Sequence, residues 1–66
     1  MNIQSAINEG ESVLKNESIP SAKLDAEILM AKSIEKDRKY IILNNDKNLD
    51  DENLRYFKNL IKERSK

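Results

Sequence analysis

The side chains that could carry out chemistry in this chain are few, and the most versatile ones are absent. The 66 residues include twelve carboxylates and twelve cationic side chains, but no histidine and no cysteine. Without histidine the usual general base near neutral pH is missing, and no serine has a partner that could activate it as a nucleophile. The six serines are therefore predicted to cap helices or face solvent. A single glycine, Gly10, cannot form a glycine-rich phosphate loop. We expect no catalytic, cofactor or metal-binding residue in the chain.

An acidic segment, residues 46–52, has the oxygen-bearing side chains of a calcium loop at its first, third and fifth positions. Calcium loops of this type also require glycine at the sixth position and a bidentate glutamate at the twelfth. Those positions hold Asp51 and Phe57. The segment is therefore interpreted as a polar turn followed by the start of a helix.

Two sets of charged residues are less easily dismissed. Glu27 lies among apolar residues of a predicted helix, so its carboxylate should be partly buried and must find a donor. A structural hydrogen bond or ion pair is the simpler interpretation, and a contact with another domain is the alternative. A second set, which we call the basic ridge, lies about 120° from the apolar stripe of the last predicted helix. Its members are Arg55, Lys58, Lys62 and Lys66. The ridge is either an ordinary solvated face or a docking strip for an acidic partner.

The elements that must position these residues are helices. The chain has one glycine, one proline and 36% charged residues, a composition rich in helix formers. The patterns predict helices over residues 3–16, 21–34, 38–43 and 51–64, with Asn2, Asp37 and Asp50 as N-caps of the first, third and fourth. The second carries apolar residues on several sides, which is typical of the central helix of a bundle. We expect a monomeric all-α bundle of four to five helices.

The predicted core consists of one apolar stripe from each long helix: Ile3, Ile7, Leu14, Leu24, Ile28, Ala31, Leu54, Phe57 and Ile61. Gly10 falls in the middle of the first stripe, and a glycine there costs about 1 kcal/mol relative to alanine. We therefore expect another helix to approach closely at this position, although an incidental glycine is the alternative. A chain this short hides only about 60% of its unfolded surface, so its stability should not exceed about 3–5 kcal/mol.

Charge and hydropathy exclude some functional classes. Positive and negative residues balance to a net charge of zero, so no overall field attracts the chain to nucleic acid or membrane. The apolar runs are too short to span a bilayer. The first residues lack the charged and apolar regions of a signal peptide, which favours a cytoplasmic location.

The second helix and the turn after it carry a family resemblance. The run Leu-Asp-Ala-Glu-Ile-Leu-Met-Ala at residues 24–31, followed by Lys36-Asp37-Arg38, resembles the N-terminal domain of the release-factor glutamine methyltransferases, the PrmC/HemK family. The alignment with the family pattern continues without a gap to Arg64. Asn45 and Glu63 depart from the family pattern, which often has proline and arginine at these places.

This resemblance implies that residues 1–66 form a single helical substrate-recognition domain. In the family, a Gly-Glu-Pro linker leads from this domain into a catalytic domain outside this chain, which binds S-adenosylmethionine and holds an Asn-Pro-Pro-Tyr motif. The implied partners are that C-terminal catalytic domain and a class I peptide-chain release factor, whose Gly-Gly-Gln glutamine is methylated. No cofactor is implied for the chain itself. The alternative is a stand-alone helical adaptor or a small DNA-binding domain, and the zero net charge argues against DNA.

Overall fold

Four α-helices and no strands make up the computed structural model, which describes all residues 1–66. The helices are α1 (Ile3–Asn16), α2 (Ala22–Ile34), α3 (Arg38–Leu43) and α4 (Asp51–Arg64), and they contain 71% of the residues. The predicted all-α bundle is therefore confirmed, with four helices. None of them has the length and apolar content that crossing a bilayer requires.

Three helices begin where their capping residues predict. The side chains of Asn2, Asp37 and Asp50 each accept a hydrogen bond of 2.7–2.9 Å from the backbone N–H three residues later. Each bond satisfies one of the N–H groups that the first turn of a helix leaves unpaired. The acidic segment around Asp50 is thus a turn and a helix start, as interpreted from the sequence.

The first two helices end without glycine. Ser18 and Glu35 adopt left-handed backbone conformations, with φ of 60° and 58°. In both places the next N–H donates to the carbonyl five residues back, at 3.1 and 3.0 Å. This is the hydrogen bond of a Schellman motif, which reverses the chain directly after a helix.

The loop between α3 and α4 is fixed to the start of α1. The N–H of Ile3 donates to the carbonyl of Lys47, and that of Gln4 donates to the carbonyl of Asn45, both at 2.9 Å. These N–H groups have no partner within α1, so the loop provides the acceptors that the helix lacks. The start of α1 and the approach to α4 are held together in this way.

Helix α2 is central, as predicted, and contacts each of the other three helices. The core contains residues from all four helices: Ile3, Ala6, Ile7, Leu14, Ala22, Ala26, Met30, Ala31, Ile41, Phe57 and Ile61. Leu54, expected in the core, is only partly buried and packs at its edge. Leu14, Met30 and Phe57 are the largest fully buried side chains.

The predicted inward face of α2 is wrong at Leu24 and Ile28, although Ala31 is buried as predicted. Leu24 and Ile28 are 43% and 47% exposed, whereas Ala22, Ala26 and Met30 are almost completely buried. Apolar residues on nearly every side of this helix leave its orientation undetermined by periodicity. The alanines face inward because small side chains let the neighbouring helices approach closely.

One serine also departs from the expected pattern. Ser33 is 3% exposed, so it neither caps a helix nor faces solvent. Its hydroxyl donates to the carbonyl of Met30 at 2.8 Å, which satisfies the polar group inside the core. Ser21, which is partly buried, donates through its hydroxyl to Asp25 at 3.0 Å.

Candidate protein-docking surface

An ion pair fixes the end of α4 against α2. Arg64 lies 2.9 Å from Asp25, whose carboxylate also accepts the hydrogen bond from Ser21. The Asp25 side chain is only 18% exposed, so the two donors compensate most of its lost hydration. This contact sets the direction in which the last turn of α4, and the cations on it, point.

A second ion pair joins α2 to α3. Arg38 donates to Glu27 at 2.9 Å, and the Glu27 side chain is 17% exposed. The prediction that Glu27 is partly buried and finds a donor is confirmed. Three charged residues of the segment that carries the family resemblance, Asp25, Glu27 and Arg38, therefore orient helices.

The basic ridge lies on the solvent side of α4. Its four members, Arg55, Lys58, Lys62 and Lys66, are all exposed. Lys66 approaches Glu63 at 3.5 Å, whereas the other three form no ion pair. Three cations on one helix face, free of carboxylates of this chain, are available to a partner.

Next to the ridge, α1 and α4 leave an open groove of about 350 Å³. Its lining is mainly apolar, and Lys58 and Lys62 of the ridge form part of one wall. We call this the α1–α4 groove, lined by Met1, Ala6, Glu9, Gly10, Val13, Leu54, Phe57, Lys58, Ile61, Lys62 and Ser65. Arg55 and Lys66 are not part of its lining. The structure thus brings two ridge lysines together with exposed apolar surface, which sequence reasoning did not find.

Gly10 lies in this groove, at the point where α4 presses on α1. A Cβ atom built on Gly10 would lie 2.8 Å from Phe57 Cζ and from Ile61 Cδ1. The expected close approach is therefore present, and it is made by side chains of α4. Gly10 in the apolar stripe was the one sequence signal that two helices meet here.

Sequence reasoning also missed the outer face of α2. Leu24 and Ile28, placed in the core by their spacing, form a second exposed apolar pair. Lys32, one turn further along, is exposed as well. Leu24 borders an open depression between α2 and α3 that is lined mainly by polar residues, including Glu27 and Arg38, whereas the lining of the α1–α4 groove is mainly apolar.

Comparison with known protein families gives one match. The family model of the PrmC N-terminal domain matches residues 5–66, which include α2, α3, α4 and all but the first two residues of α1. The chain belongs to the PrmC N-terminal domain family. This confirms the resemblance seen in residues 24–38. Comparisons with curated protein sequences and with solved structures returned no match.

The candidate functional residues of this PrmC N-terminal domain can now be placed on its fold. The residues with predicted functional roles are charged side chains at the surface of α4 and just beyond it, and the ion pair of Asp25 with Arg64 joins α4 to α2. The basic ridge and the α1–α4 groove together form the candidate surface.

Proposed function

We propose that this domain recognises the substrate of a protein-(glutamine-N5) methyltransferase. The substrate is a class I peptide-chain release factor, and the modified residue is the glutamine of its Gly-Gly-Gln loop. The domain acts in the cytoplasm, as a monomer beside a C-terminal catalytic domain. That catalytic domain binds S-adenosylmethionine and transfers the methyl group.

The match of residues 5–66 to the PrmC N-terminal domain is the observation that carries this proposal. The surface of α4 supports it, because Arg55, Lys58 and Lys62 are exposed and have no carboxylate partner. Clustered cations of this kind raise the rate at which an acidic partner associates, more than they raise the final affinity. The ridge would therefore steer the release factor toward the enzyme.

Association kinetics test the proposal directly. The 66-residue chain is immobilised, and a purified class I release factor is passed over it at several ionic strengths. We expect saturable binding whose association rate falls as salt rises, because the Debye length shortens to about 8 Å at physiological salt. Reversing Arg55, Lys58 and Lys62 together to glutamate should slow association by about tenfold or more at low salt.

A matched control separates steering from overall charge. Reversing Lys23, Lys32 and Lys39 to glutamate changes the net charge equally, and all three are exposed on α2 and α3. The control variant should keep a larger fraction of the parental association rate than the variant with the reversed ridge. Each variant places one glutamate in the last turn of a helix, at Lys62 of α4 or Lys32 of α2, so both should lose a similar, small amount of stability.

The same triple reversal in a methyltransferase that contains this domain gives a second readout. Methylation of the release factor should slow, with the loss in kcat/KM and with a defect that shrinks as salt rises. Equal methylation rates for parent and variant at low salt would identify the ridge as a solvated face. Absence of any binding between the chain and the release factor would overturn the proposed function itself.

A further inference from the structure

The α1–α4 groove has an apolar rim that the fold leaves at least partly exposed, formed by Met1, Val13 and Leu54. Its floor contains Ala6, Gly10, Phe57 and Ile61, all buried by the contact between the two helices. Val13, on the α1 edge, is 42% exposed. Phe57 and Ile61 pack directly over Gly10, so the floor itself is closed. A small domain with a thin core gains little from leaving such surface in water.

The two edges of the groove differ in charge. The α4 edge carries Lys58 and Lys62, which have no carboxylate partner. The α1 edge carries one acid, Glu9, which is also exposed and forms no ion pair. A complementary partner has an apolar face for the rim and acidic side chains along the α4 edge.

The length of the α1–α4 groove and the spacing of its two lysines suit a partner helix. Lys58 and Lys62 are four residues apart, so they are separated by about 6 Å along the helix axis, at 1.5 Å per residue. Two acidic residues at positions i and i+4 of a partner helix have the same spacing. From Leu54 to Ser65 the groove follows α4 for about 16 Å, which three turns of a partner helix would fill. Apolar anchors at i, i+3 or i+4, and i+7 are the usual way in which a helix occupies such a groove.

We propose that the α1–α4 groove binds an amphipathic helix of the release factor, with apolar side chains against its apolar rim and acidic side chains against Lys58 and Lys62. The inference rests on the proposed function, and it assigns to that function a surface and a chemistry of the partner. The basic ridge steers the encounter, and the groove provides the apolar contacts that hold the complex. Substitutions in the groove should therefore change mainly the dissociation rate of the complex.

A substitution on the groove edge tests this directly. Val13→Glu places a charge on the apolar contact surface and opposes an acidic partner. Ile28→Glu is the matched control, because Ile28 is an equally exposed apolar residue, 47% against 42%, on the outer face of α2. Binding of the release factor to the 66-residue chain should weaken at least about tenfold with Val13→Glu and no more than twofold with Ile28→Glu.

A second variant is designed to gain affinity, so that unfolding cannot imitate its effect. Glu9→Lys removes the single acid of the groove and makes both edges positive. Affinity for the release factor should rise about two- to fivefold, the range expected for an exposed ion pair. Glu17→Lys makes the same charge change on an exposed residue outside the groove, at the end of α1, and should raise affinity less.

The outcomes separate this inference from the proposed function. Parental affinity in Val13→Glu, or an equal loss in Ile28→Glu, overturns the groove and leaves the release factor as the partner. No binding by the parent chain overturns both. The oligomeric state of the chain alone is measured by sedimentation at the same concentrations. A dimer that Val13→Glu dissociates would show that a second copy fills the groove, and would also overturn the inference.

Discussion

Replacing Gly10 by alanine tests the packing of α1 on α4 at its tightest point. The added Cβ would lie 2.8 Å from Phe57 Cζ, 2.8 Å from Ile61 Cδ1 and 3.1 Å from Ile61 Cγ1. Carbon atoms in favourable contact are about 3.5–4.0 Å apart. Both side chains must therefore retreat by several tenths of an ångström to about one ångström.

The two side chains can respond to different extents. Ile61 Cδ1 is the end of a flexible chain that lines the open groove, so it can turn away at small cost. Phe57 Cζ lies on the axis of rotation of the ring, so flipping the ring does not move it. Phe57 is also 1% exposed and packed on all sides. Its retreat requires a change at χ1 or a shift of α4.

Whether Gly10→Ala stabilises or destabilises the domain depends on two opposing free-energy contributions. Alanine improves the intrinsic helical preference by about 1 kcal/mol relative to glycine. Overpacking a buried site usually costs about 1–3 kcal/mol. The cost should prevail, with a net loss of about 1 kcal/mol, which lowers the Tm of a domain this size by about 4–8 °C.

Thermal and urea unfolding of the 66-residue chain, followed by circular dichroism, measure the loss. Ser12→Ala is the control, because Ser12 is exposed on the same helix and gains helical preference without a new contact. In a Phe57→Leu background, which lacks Cζ, Gly10→Ala should cost less, with a coupling energy above about 0.5 kcal/mol. A Gly10→Ala variant that melts above the parent would refute this account of the α1–α4 contact.

Two further predictions concern the burial of leucine side chains and the proposed location of cofactor binding and methyl transfer in another domain. Leu24→Ala should lower the free energy of unfolding by less than about 1 kcal/mol, because Leu24 is 43% exposed. Leu14→Ala, at a site that is 0% exposed, should lower it by about 2–5 kcal/mol, which is as much as the whole stability of the domain. Equal urea midpoints for the two variants would contradict the observed orientation of α2. The isolated chain should bind no S-adenosylmethionine and transfer no methyl group, and a saturable heat in calorimetric titration with the cofactor would overturn the assignment of both functions to another domain.

The ends of the helices could be predicted because their signals are local. Asn2, Asp37 and Asp50 each bond to a backbone N–H three residues away, so the capping residue and the helix start are encoded within one turn. The break at Pro20 is equally local. The partial burial of Glu27 was also predictable, since it depended only on its apolar neighbours along one helix.

The basic ridge illustrates an intermediate case. Arg55, Lys58 and Lys62 occur on one side of α4 by helical spacing alone, so the sequence determined that they share a face, whereas Lys66 lies beyond the end of the helix. That Lys58 and Lys62 border an apolar groove depends on where α1 lies. Sequence spacing along one helix carries no information about a surface that two helices form together.

The orientation of α2 was decided only by the tertiary structure. Leu24 and Ile28 repeat with helical spacing as well as Ala22, Ala26 and Met30 do, so each face could have been the buried one. Residues distant in sequence made the choice: α1 and α4 approach the alanine face closely, while Arg38 and Arg64 pair with Glu27 and Asp25 at its sides. Local composition determined the helices and their ends, whereas the packing of all four helices determined which apolar side chains remained exposed at the surface.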